Sequence, residues 1–568
     1  MFLRKAKLNG RIHLSCVKGY RDKNGKNKNK TIKTFGYVDV LKETYEDPIK
    51  HFEEVVKQMN DEEKSQNAPI NIKLFPKRKI NKRLANQLDL GAAIPSKYFH
   101  KDLGLWNFFE KKRTARKIKV NPCRVLELLV WNRLTNPSSK KRAWEEKDRF
   151  PRKCNFSLDD VYKSLTYLAD NKDNIVNHMN NNFEQIRGKR NKSNLYYDVT
   201  NYYFEIEEED DFRMRGASKE HRPNPIIQMG LLLDSDGLPL NFELFSGNTI
   251  DSQTLLPIMK KSGFRDKKEK VIMVSDKGLN CSDNIAACIL DHNGYIFSQS
   301  VRKAPKELKD WVLSEDDYVI NKKHNFKIKS RQSFKTVYIK DESSKTKKVE
   351  VPVKEVAFWS KDYYLRSRHE REKIIEKSKK AIARNYFPAS KAHSSIKYAK
   401  DNPVNKKTGE VADHNWTLDK KKIAEDEALD GYYCIVTSEI DMEDNEIIDN
   451  YRGLWIIEES FKVTKSDLKA RPVFVSTKDH ITAHFLTCYI ALFIMRLIQL
   501  DISNNYSAKE ISTALKNIVG HRIDTNFFYF DYRTDITDEL TKLIDKRLQL
   551  EVLTKAQIND IMSKVKNM

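Results

Sequence analysis

Residues 194–205, NLYYDVTNYYFE, have the alternating pattern of a β-strand. Successive side chains of a strand point to opposite faces, so Leu195 and Val199 share one face, and Tyr196 and Asp198 share the other. Aspartate is uncommon inside strands, and its position here requires an explanation. Either Asp198 faces water on an edge strand, or it has a chemical role.

The segments after this strand predict a mixed α/β sheet. Residues 225–248 form two strand-like runs joined by Asp-Ser-Asp-Gly, a strong hairpin signal. Helices are expected near 251–262 and 282–291, on either side of the short apolar run VIMV at 271–274. An unbroken apolar run of this length is typical of a strand that is buried on both faces. Antiparallel strands followed by alternating helix and strand indicate an α/β fold.

Asp276 follows the VIMV strand directly, in the sequence VSDKGLN. Ligands of α/β sheets gather at the carboxyl ends of such strands, which makes Asp276 a second candidate acid. The alternative is that Asp276 caps the next helix. Asp251, in FSGNTIDS, is a possible fourth acid near the same place.

A third candidate acid lies in residues 451–465, YRGLWIIEESFKVTK, which have the pattern of an amphipathic helix. Seven residues of helix return to within ~20° of the starting direction, so Tyr451, Glu458 and Lys465 share one face. Glu459 is rotated ~100° from Glu458 and is expected to point to water. The alternative is a chance spacing on a solvated helix.

Composition favours a polyanionic partner. The 568 residues include 104 Lys and Arg against 80 Asp and Glu, a net charge of +24. Such a charge attracts nucleic acid first and acidic membrane surfaces second. The most apolar segment, FLTCYIALFIM at 485–495, is too short to cross a bilayer and is predicted to be a core helix. The seven cysteines form no C-x-x-C pair, which argues against zinc and for reduced thiols in a cytosol.

Three separated acids in a basic chain suit a hard cation acting on a phosphodiester. Mg²⁺ prefers a few carboxylates, with water and substrate phosphate completing its shell. A pair of such ions would activate the nucleophile and stabilise the leaving oxygen.

The ordered set of motifs resembles the DDE-type insertion-sequence transposases of the cut-and-paste, IS-four-like group, whose signature is Y-x2-R-x3-E-x6-K. Tyr451, Glu458 and Lys465 match its Y, E and K positions, whereas Leu454 stands where the pattern has Arg. YYDVTNYYFE resembles the strand of the first Asp, and VSDKGLN the strand end of the second. Residues 216–255, GASKEHRPNP through NTIDSQTL, resemble the segment between them. Arg452, or Arg471 in KARPVF, is a candidate for the missing cation.

The resemblance implies an RNase H-like catalytic fold of α/β type, in which a β-rich insertion separates the second Asp from the Glu. Sequence patterns outside this core predict flanking regions, namely an N-terminal β-hairpin, a polar linker near 60–69, a helical subdomain and a helical C-terminus. The expected limits are a basic DNA-binding arm with a linker at 1–90, the helical subdomain at 91–190, catalytic parts at 191–302 and 431–500, a Lys-rich insertion at 303–430, and the C-terminal region at 501–568.

For function, the resemblance implies a transposase that cleaves transposon-end phosphodiesters and joins the freed 3′-OH to target DNA. Asp198, Asp276 and Glu458 would be catalytic and metal-binding, with two Mg²⁺ or Mn²⁺ ions. Substrate contacts are expected from Tyr451, Arg452, Lys465, Trp359 and Trp416. In relatives, a tryptophan of the insertion can stack on a flipped base. For each of the two tryptophans here, the alternative role is packing in the core.

Expected partners are the terminal inverted repeats, target DNA and a second subunit when DNA is bound, in a bacterial cytoplasm at the nucleoid and without a membrane. The basic hairpin tip, from Arg21 to Lys30, and the Lys-rich insertion would grip DNA. Two other functions stay open: a nuclease or resolvase of the same fold that cuts without joining, and a domesticated DNA-binding protein without catalysis.

Overall fold

The computed structural model describes most of the chain as two compact units, Met1–Lys82 and Arg83–Met568. Within them the described residues are 1–8, 10–21, 26–42, 44–66, 79, 86–116, 121–220, 222–263, 269–321, 326–340, 346–384, 397–401 and 416–567.

The first unit is a three-stranded antiparallel sheet with a helix, which is more than the predicted hairpin. Phe35 stacks on the buried Phe52 of the helix, with ring centroids 4.3 Å apart. Part of the predicted basic tip, residues 22–25, lies outside the described residues. The predicted linker near 60–69 is partly wrong, because its Glu- and Gln-rich start continues the helix, and residues 67–69 lie outside the described part. The elements are β1 (Phe2–Leu8), β2 (Arg11–Arg21), β3 (Asn27–Tyr37), α1 (Val38–Leu41) and α2 (Pro48–Gln66).

The second unit begins with the predicted helical subdomain. Side-chain caps at Asn121, Ser139 and Ser157 accept hydrogen bonds from the first turns of three of its helices. Its elements are β4 (Gln87–Asp89), α3 (Ala93–Lys97), a π-helical turn (Tyr98–Asp102), α4 (Leu105–Arg116), α5 (Pro122–Thr135), α6 (Lys140–Glu145), α7 (Leu158–Asp170) and α8 (Lys172–Arg187).

A large mixed sheet forms the centre of this unit. Its strand order in the described residues is β10-β11-β12-β15-β9-β8-β5-β6-β7. The pairs β5–β8 and β8–β9 are parallel, and the other pairs are antiparallel. The predicted mixed α/β sheet is therefore confirmed. Its first elements are β5 (Asn194–Tyr203), β6 (Ile226–Leu233), β7 (Pro239–Ser246), α9 (Leu255–Lys261), β8 (Ile272–Ser275), α10 (Ser282–Leu290) and β9 (Gly294–Gln299).

The two faces of β5 follow the predicted alternation. Leu195 and Val199 belong to one buried apolar cluster, and Tyr196 and Tyr202 belong to another on the opposite face. Asp198 therefore points to the side of Tyr196, where helices cover the sheet.

Three strands of the predicted insertion, β10 to β12, extend this same sheet at its edge, and its other two described strands, β13 and β14, pair with each other in a separate sheet. β11 and β12 pair along their full length, and β12 also pairs with β15. The Lys-rich segment thus widens the sheet that carries Asp198. Its elements are α11 (Lys306–Leu313), β10 (Val319–Asn321), β11 (Phe326–Lys340), β12 (Thr346–Ser360), α12 (Lys361–Arg384), β13 (Ala399–Asp401), β14 (Trp416–Leu418) and α13 (Lys420–Ala428), after which the chain enters β15 (Tyr432–Thr437).

The prediction of one regular helix over 451–465 is wrong. The segment comprises the end of α14 (Asp444–Arg452), α15 (Trp455–Lys462) and a π-helical turn (Val463–Asp467). At Gly453 the chain passes so close to the sheet that an added Cβ would lie 2.2 Å from the Tyr196 hydroxyl oxygen. The close approach to β5 thus requires glycine, a poor helix former, at the point where α14 ends.

The apolar segment 485–495 lies in α16 (Lys478–Asp501). Within the described residues this is the one helix long and apolar enough to cross a membrane by length and composition. Because 89% of its most apolar window is buried inside the protein, the prediction of a core helix is confirmed.

The C-terminal region contains the predicted helices, but the prediction missed its strands. Three short strands there join β4 in an antiparallel sheet of order β18-β17-β16-β4 within the described residues. Strands of three or four residues are too short for a periodic signal, and β16 pairs with a strand more than 400 residues earlier in the chain. The elements are α17 (Ala508–Asn517), β16 (Val519–Arg522), β17 (Phe527–Tyr529), α18 (Asp535–Lys542), β18 (Val552–Thr554) and α19 (Lys555–Asn567).

Candidate functional site

Asp198 is a largely buried acid in the middle of β5, an interior strand of the sheet. Its side chain is 22% exposed, and its Oδ1 lies 3.9 Å from the Lys219 ammonium. Burial, together with the negative charges of Asp276 and Asp251, raises the pKa of the Asp198 carboxyl to about 6, against the opposing effect of Lys219. The site therefore disfavours the ionised acid unless more positive charge is supplied.

Asp276 and Asp251 belong to the same acidic group. Asp276 is exposed just after β8, and its Oδ1 accepts a hydrogen bond of 2.9 Å from the Gly278 amide. It thus caps the short 3-10 helix Lys277–Leu279, and not the helix α10 that the alternative had in view, whose N-cap is Cys281. The charge of Asp276 also acts on Asp198. Burial raises the pKa of Asp251, and the charge of Asp276 adds to that effect. The possible fourth acid thus lies electrostatically close to two predicted ones.

The segment with Tyr451 and Lys465 runs along the face of β5 that carries Asp198. Gly453 lies against Tyr196, and the Lys465 ammonium donates a hydrogen bond of 2.9 Å to Thr200 Oγ1. Asp198 lies between these two contact points on the strand.

Tyr451 lies at the Asp276 end of this segment. Its hydroxyl is 2.5 Å from that of Tyr433. Burial raises the pKa of the Tyr451 hydroxyl, with smaller contributions from Tyr433 and from the charge of Asp276.

Glu458 lies midway along this segment, in α15, which packs on β5. Its side chain is exposed and makes no hydrogen bond or ion pair with the described residues. The prediction that Glu459 points to water is wrong, because the Arg496 guanidinium of α16 donates a hydrogen bond to its Oε2 at 3.1 Å. The two adjacent acids thus differ: Glu459 ties α15 to α16, whereas Glu458 has no side-chain partner among the residues that the structure describes.

The structure brings Asp198, Asp276 and Asp251 into electrostatic contact but gives no direct contact between Glu458 and any of them. Across the described ranges, no three His, Cys, Asp or Glu side chains converge tightly enough in this conformation to hold a metal ion. The sharing of metal ions by Asp198, Asp276 and Glu458 stays a prediction.

A cluster of charges that sequence reasoning missed surrounds Lys465. Glu220 forms an ion pair with Arg471, and its Oε1 is 3.6 Å from the Lys465 ammonium. Its neighbour Lys219 donates a hydrogen bond to the carbonyl oxygen of Val199. Lys219 and Glu220 stand in GASKEHRPNP. Their adjacent opposite charges are the one feature of the sequence that could have indicated this cluster.

Of the two candidate cations, Arg471 lies with Lys465, whereas Arg452 lies over the ring of Phe326 in β11, 5.1 Å from its centroid. Burial lowers the pKa of the Lys465 ammonium, and the positive charge of Arg471 adds to this effect. Leu454, at the family's Arg position, is buried.

The two candidate tryptophans lie in the insertion, away from this cluster. Trp359 is half-buried, and its Nε1 donates to the Asp430 carbonyl at 3.1 Å. It lines a cavity of about 510 Å³ together with Lys327 and Tyr432. Trp416 is half-buried at the start of β14, where it pairs with Asp401.

Two families match the sequence. Residues 3–70 match the IS1634 family transposase N-terminal domain, and residues 204–494, just over half of the chain, match the transposase DDE domain. No curated protein matches the chain. Among solved structures, a cryo-EM structure of the piggyBac transposase synaptic complex with hairpin DNA is 9% identical over 84% of each chain, with a TM-score of 0.34. A likeness at that TM-score supports no conclusion about this chain.

Proposed function

The chain belongs to the DDE transposases and is the transposase of an insertion sequence, and from this premise we propose that Asp198, Asp276 and Glu458 are its catalytic acids. The reaction is cleavage of the phosphodiesters at the transposon ends, followed by attack of the freed 3′-OH on target DNA. The observation that carries the assignment is the position of Asp198 in the middle of a strand, close to the carboxylates of Asp276 and Asp251. The pKa of the Asp198 carboxyl is raised there to about 6. Perturbed acids of this kind concentrate at functional sites.

The donor set fits Mg²⁺ or Mn²⁺, and we propose two ions. Asp198, Asp276 and Glu458 offer oxygen ligands, which hard divalent cations prefer. A partly buried carboxylate with a raised pKa gains most from added positive charge. When bound, the ions would activate the attacking hydroxyl and stabilise the leaving oxygen. We also propose that the sheet around these acids is RNase H-like, and that the domain limits inferred from the sequence apply.

We propose that Lys465 and Tyr451 hold substrate phosphate beside the acids. The position of Lys465 over Thr200, two residues beyond Asp198 on the same strand face, supports this role. Arg471 would supply the guanidinium that Leu454 cannot, because it shares Glu220 with Lys465. A guanidinium suits phosphate through paired hydrogen bonds.

Lys465→Ala is expected to weaken DNA binding and to lower its salt dependence. The loss of one phosphate contact reduces the slope of log K against log salt by about one. Fluorescence anisotropy of a labelled DNA duplex over a range of salt concentrations measures both quantities. Lys462→Ala, which removes the same charge three residues earlier, at the end of α15, is the control. Equal binding by the Lys465 variant and the parent at every salt concentration would contradict the role.

For a base flipped out of the DNA end, Trp359 is the better placed of the two candidate tryptophans. It borders a cavity and lies 5.8 Å from the Lys327 ammonium, a cation suited to the adjoining phosphate. Stacking stabilises an extruded base by ~1–3 kcal/mol. Trp359→Ala should therefore slow processing of the ends more than Trp416→Ala, as seen in denaturing gels of labelled end DNA.

We propose that the active form is a dimer on paired transposon ends. Cutting two ends and joining them at one target needs two active sites, and the net charge of +24 opposes self-association until DNA neutralises it. We expect monomers at moderate salt and a two-protein, two-end complex with cognate DNA, measured by light scattering. A one-protein, one-end complex that still joins both ends would refute this assembly. We place its action in a bacterial cytoplasm, on nucleoid DNA.

Strand joining tests the proposed reaction. Labelled duplexes that carry the inverted repeats of the element are incubated with the protein, Mg²⁺ and a target plasmid. We expect label covalently linked to the plasmid. Cut ends without linkage would indicate a nuclease or resolvase, and bound but uncut ends would indicate a DNA-binding protein that has lost catalysis.

A further inference from the structure

Two consecutive residues place opposite charges at two different points of the site. The Lys219 ammonium lies 3.9 Å from Asp198 Oδ1 and donates to the carbonyl oxygen of Val199. The Glu220 carboxylate lies between the Lys465 ammonium, at 3.6 Å, and the Arg471 guanidinium. One dipeptide thus supplies a cation to the acid and an anion to the two cations.

Lys219 is a cation beside Asp198, for which a metal cation is proposed. Glu220 is an anion beside Lys465 and Arg471, for which a DNA phosphate is proposed. A carboxylate offers Lys and Arg the same charge-assisted hydrogen bonds that a phosphate offers. Glu220 and its two partners are partly shielded from water, with side-chain exposures of 24% for Glu220, 14% for Lys465 and 29% for Arg471. Without an anion, Lys465 and Arg471 would repel each other in a poorly solvated place.

We propose that Lys219-Glu220 is an internal substitute for the substrate. Glu220 pairs with Lys465 and Arg471 until a DNA phosphate displaces it, and Lys219 meanwhile offsets part of the negative charge of Asp198. The inference rests on the proposed role of Lys465 in phosphate binding. It adds an autoinhibitory contact: in the free protein Glu220 pairs with the phosphate-binding cations and Lys219 lies beside Asp198, and DNA must displace the dipeptide to reach them.

A purely structural role for Glu220 predicts the opposite result on substitution. If Glu220 serves to hold Lys465 and Arg471 in position for DNA, its loss weakens binding. If Glu220 competes with phosphate, its loss strengthens binding. The sign of the change therefore separates the two roles.

Glu220→Gln is expected to bind a labelled DNA duplex roughly tenfold more tightly than the parent in the absence of divalent metal, because two partly exposed ion pairs no longer have to be broken. Removal of any negative charge favours DNA, so the matched control is Glu209→Gln, in the same loop region. Glu209 pairs with Arg215 at 3.8 Å and touches neither Lys465 nor Arg471. The control should change affinity much less.

Lys465→Ala, made in both backgrounds, separates failure of this inference from failure of the proposed function. The gain from Glu220→Gln should shrink when Lys465 is absent, because the competition is for that cation. If Lys465→Ala weakens binding but Glu220→Gln leaves it equal or weaker, the internal substitute is refuted and the phosphate role stands. If neither change affects binding, the phosphate role itself fails.

Lys219→Met tests the other half of the dipeptide and stands in if the Glu220 variant does not fold. With the ammonium removed from Asp198, Mn²⁺ should raise the Tm of the DNA-free variant at a several-fold lower concentration than it does for the parent, since one competing cation is gone. An unchanged or higher Mn²⁺ requirement would refute competition at Asp198.

Discussion

Asp198→Asn is expected to abolish cleavage of transposon ends and, at pH 7.5 without metal, to make the protein more stable. Loss of a metal ligand removes several kcal/mol of transition-state stabilisation, which corresponds to at least ~10²-fold in rate. The gain in stability follows from the pKa of Asp198, which is about 6 in the folded chain against a reference value of 3.8.

The direction of the pH dependence follows from which state holds the proton. Below about pH 4, Asp198 is protonated in both the folded and the unfolded chain and costs nothing. As the pH rises to about 6, the unfolded chain releases the proton first. The free energy of unfolding of the wild type therefore falls by up to roughly 3 kcal/mol relative to that of the Asn variant. In thermal unfolding, the Asn variant should therefore have a higher Tm than the wild type at pH 7.5, and the two Tm values should be close at pH 4.

Two controls bear on this result. Mg²⁺ should raise the Tm of the wild type at pH 7.5 but not that of the Asn variant, because it binds the folded state through this acid. Asp234→Asn alters another buried acid, which pairs with Arg190 at 2.7 Å, and should lower stability without altering the chemical step. An Asp198→Asn protein that still cleaves ends, or that is less stable than the wild type at pH 7.5, would contradict the assignment.

The second large effect is expected at Glu458. Glu458→Gln should lower end cleavage by at least ~10²-fold with little change in Tm, because this exposed side chain has no partner in the described part of the chain. Its neighbour gives the matched control. Glu459→Gln removes the same charge but breaks the contact with Arg496, so it should lower the Tm and leave cleavage of the folded protein near normal.

Cleavage of labelled end DNA and thermal unfolding are measured on both variants. If the assignment is correct, the Glu458 variant loses cleavage but keeps its Tm, and the Glu459 variant keeps cleavage but has a lower Tm. Loss of activity in the Glu459 variant with retention in the Glu458 variant would reverse the roles of the two acids.

Local patterns predicted the core of the sheet well. Period-two alternation gave the correct faces of β5, the Asp-Ser-Asp-Gly turn gave the β6–β7 hairpin, and the VIMV run gave the buried strand β8. These features are encoded within a few residues. The mixed α/β character of the fold therefore followed from the sequence.

Features that depend on distant partners were not predictable in this way. The Tyr196 hydroxyl requires glycine at position 453, where the helix ends, and Arg496 provides the partner of Glu459. The ion pairs of Glu220 with Lys465 and Arg471 join residues about 250 positions apart. A helical projection assumes a regular helix in solvent, so it could place Glu458 and Lys465 on one face but could not anticipate the π-helical turn.

The central claim is that Asp198, Asp276 and Glu458 share the metal ions. A crystal structure of the protein with Mn²⁺ and cognate end DNA tests this directly, because anomalous scattering locates the ions without reference to the protein atoms. We predict two Mn²⁺ ions ~3.5–4 Å apart, held by carboxylate oxygens of these three residues. Ions held by Asp198, Asp276 and Asp251 with Glu458 turned to solvent, or ions at another place in the chain, would contradict it.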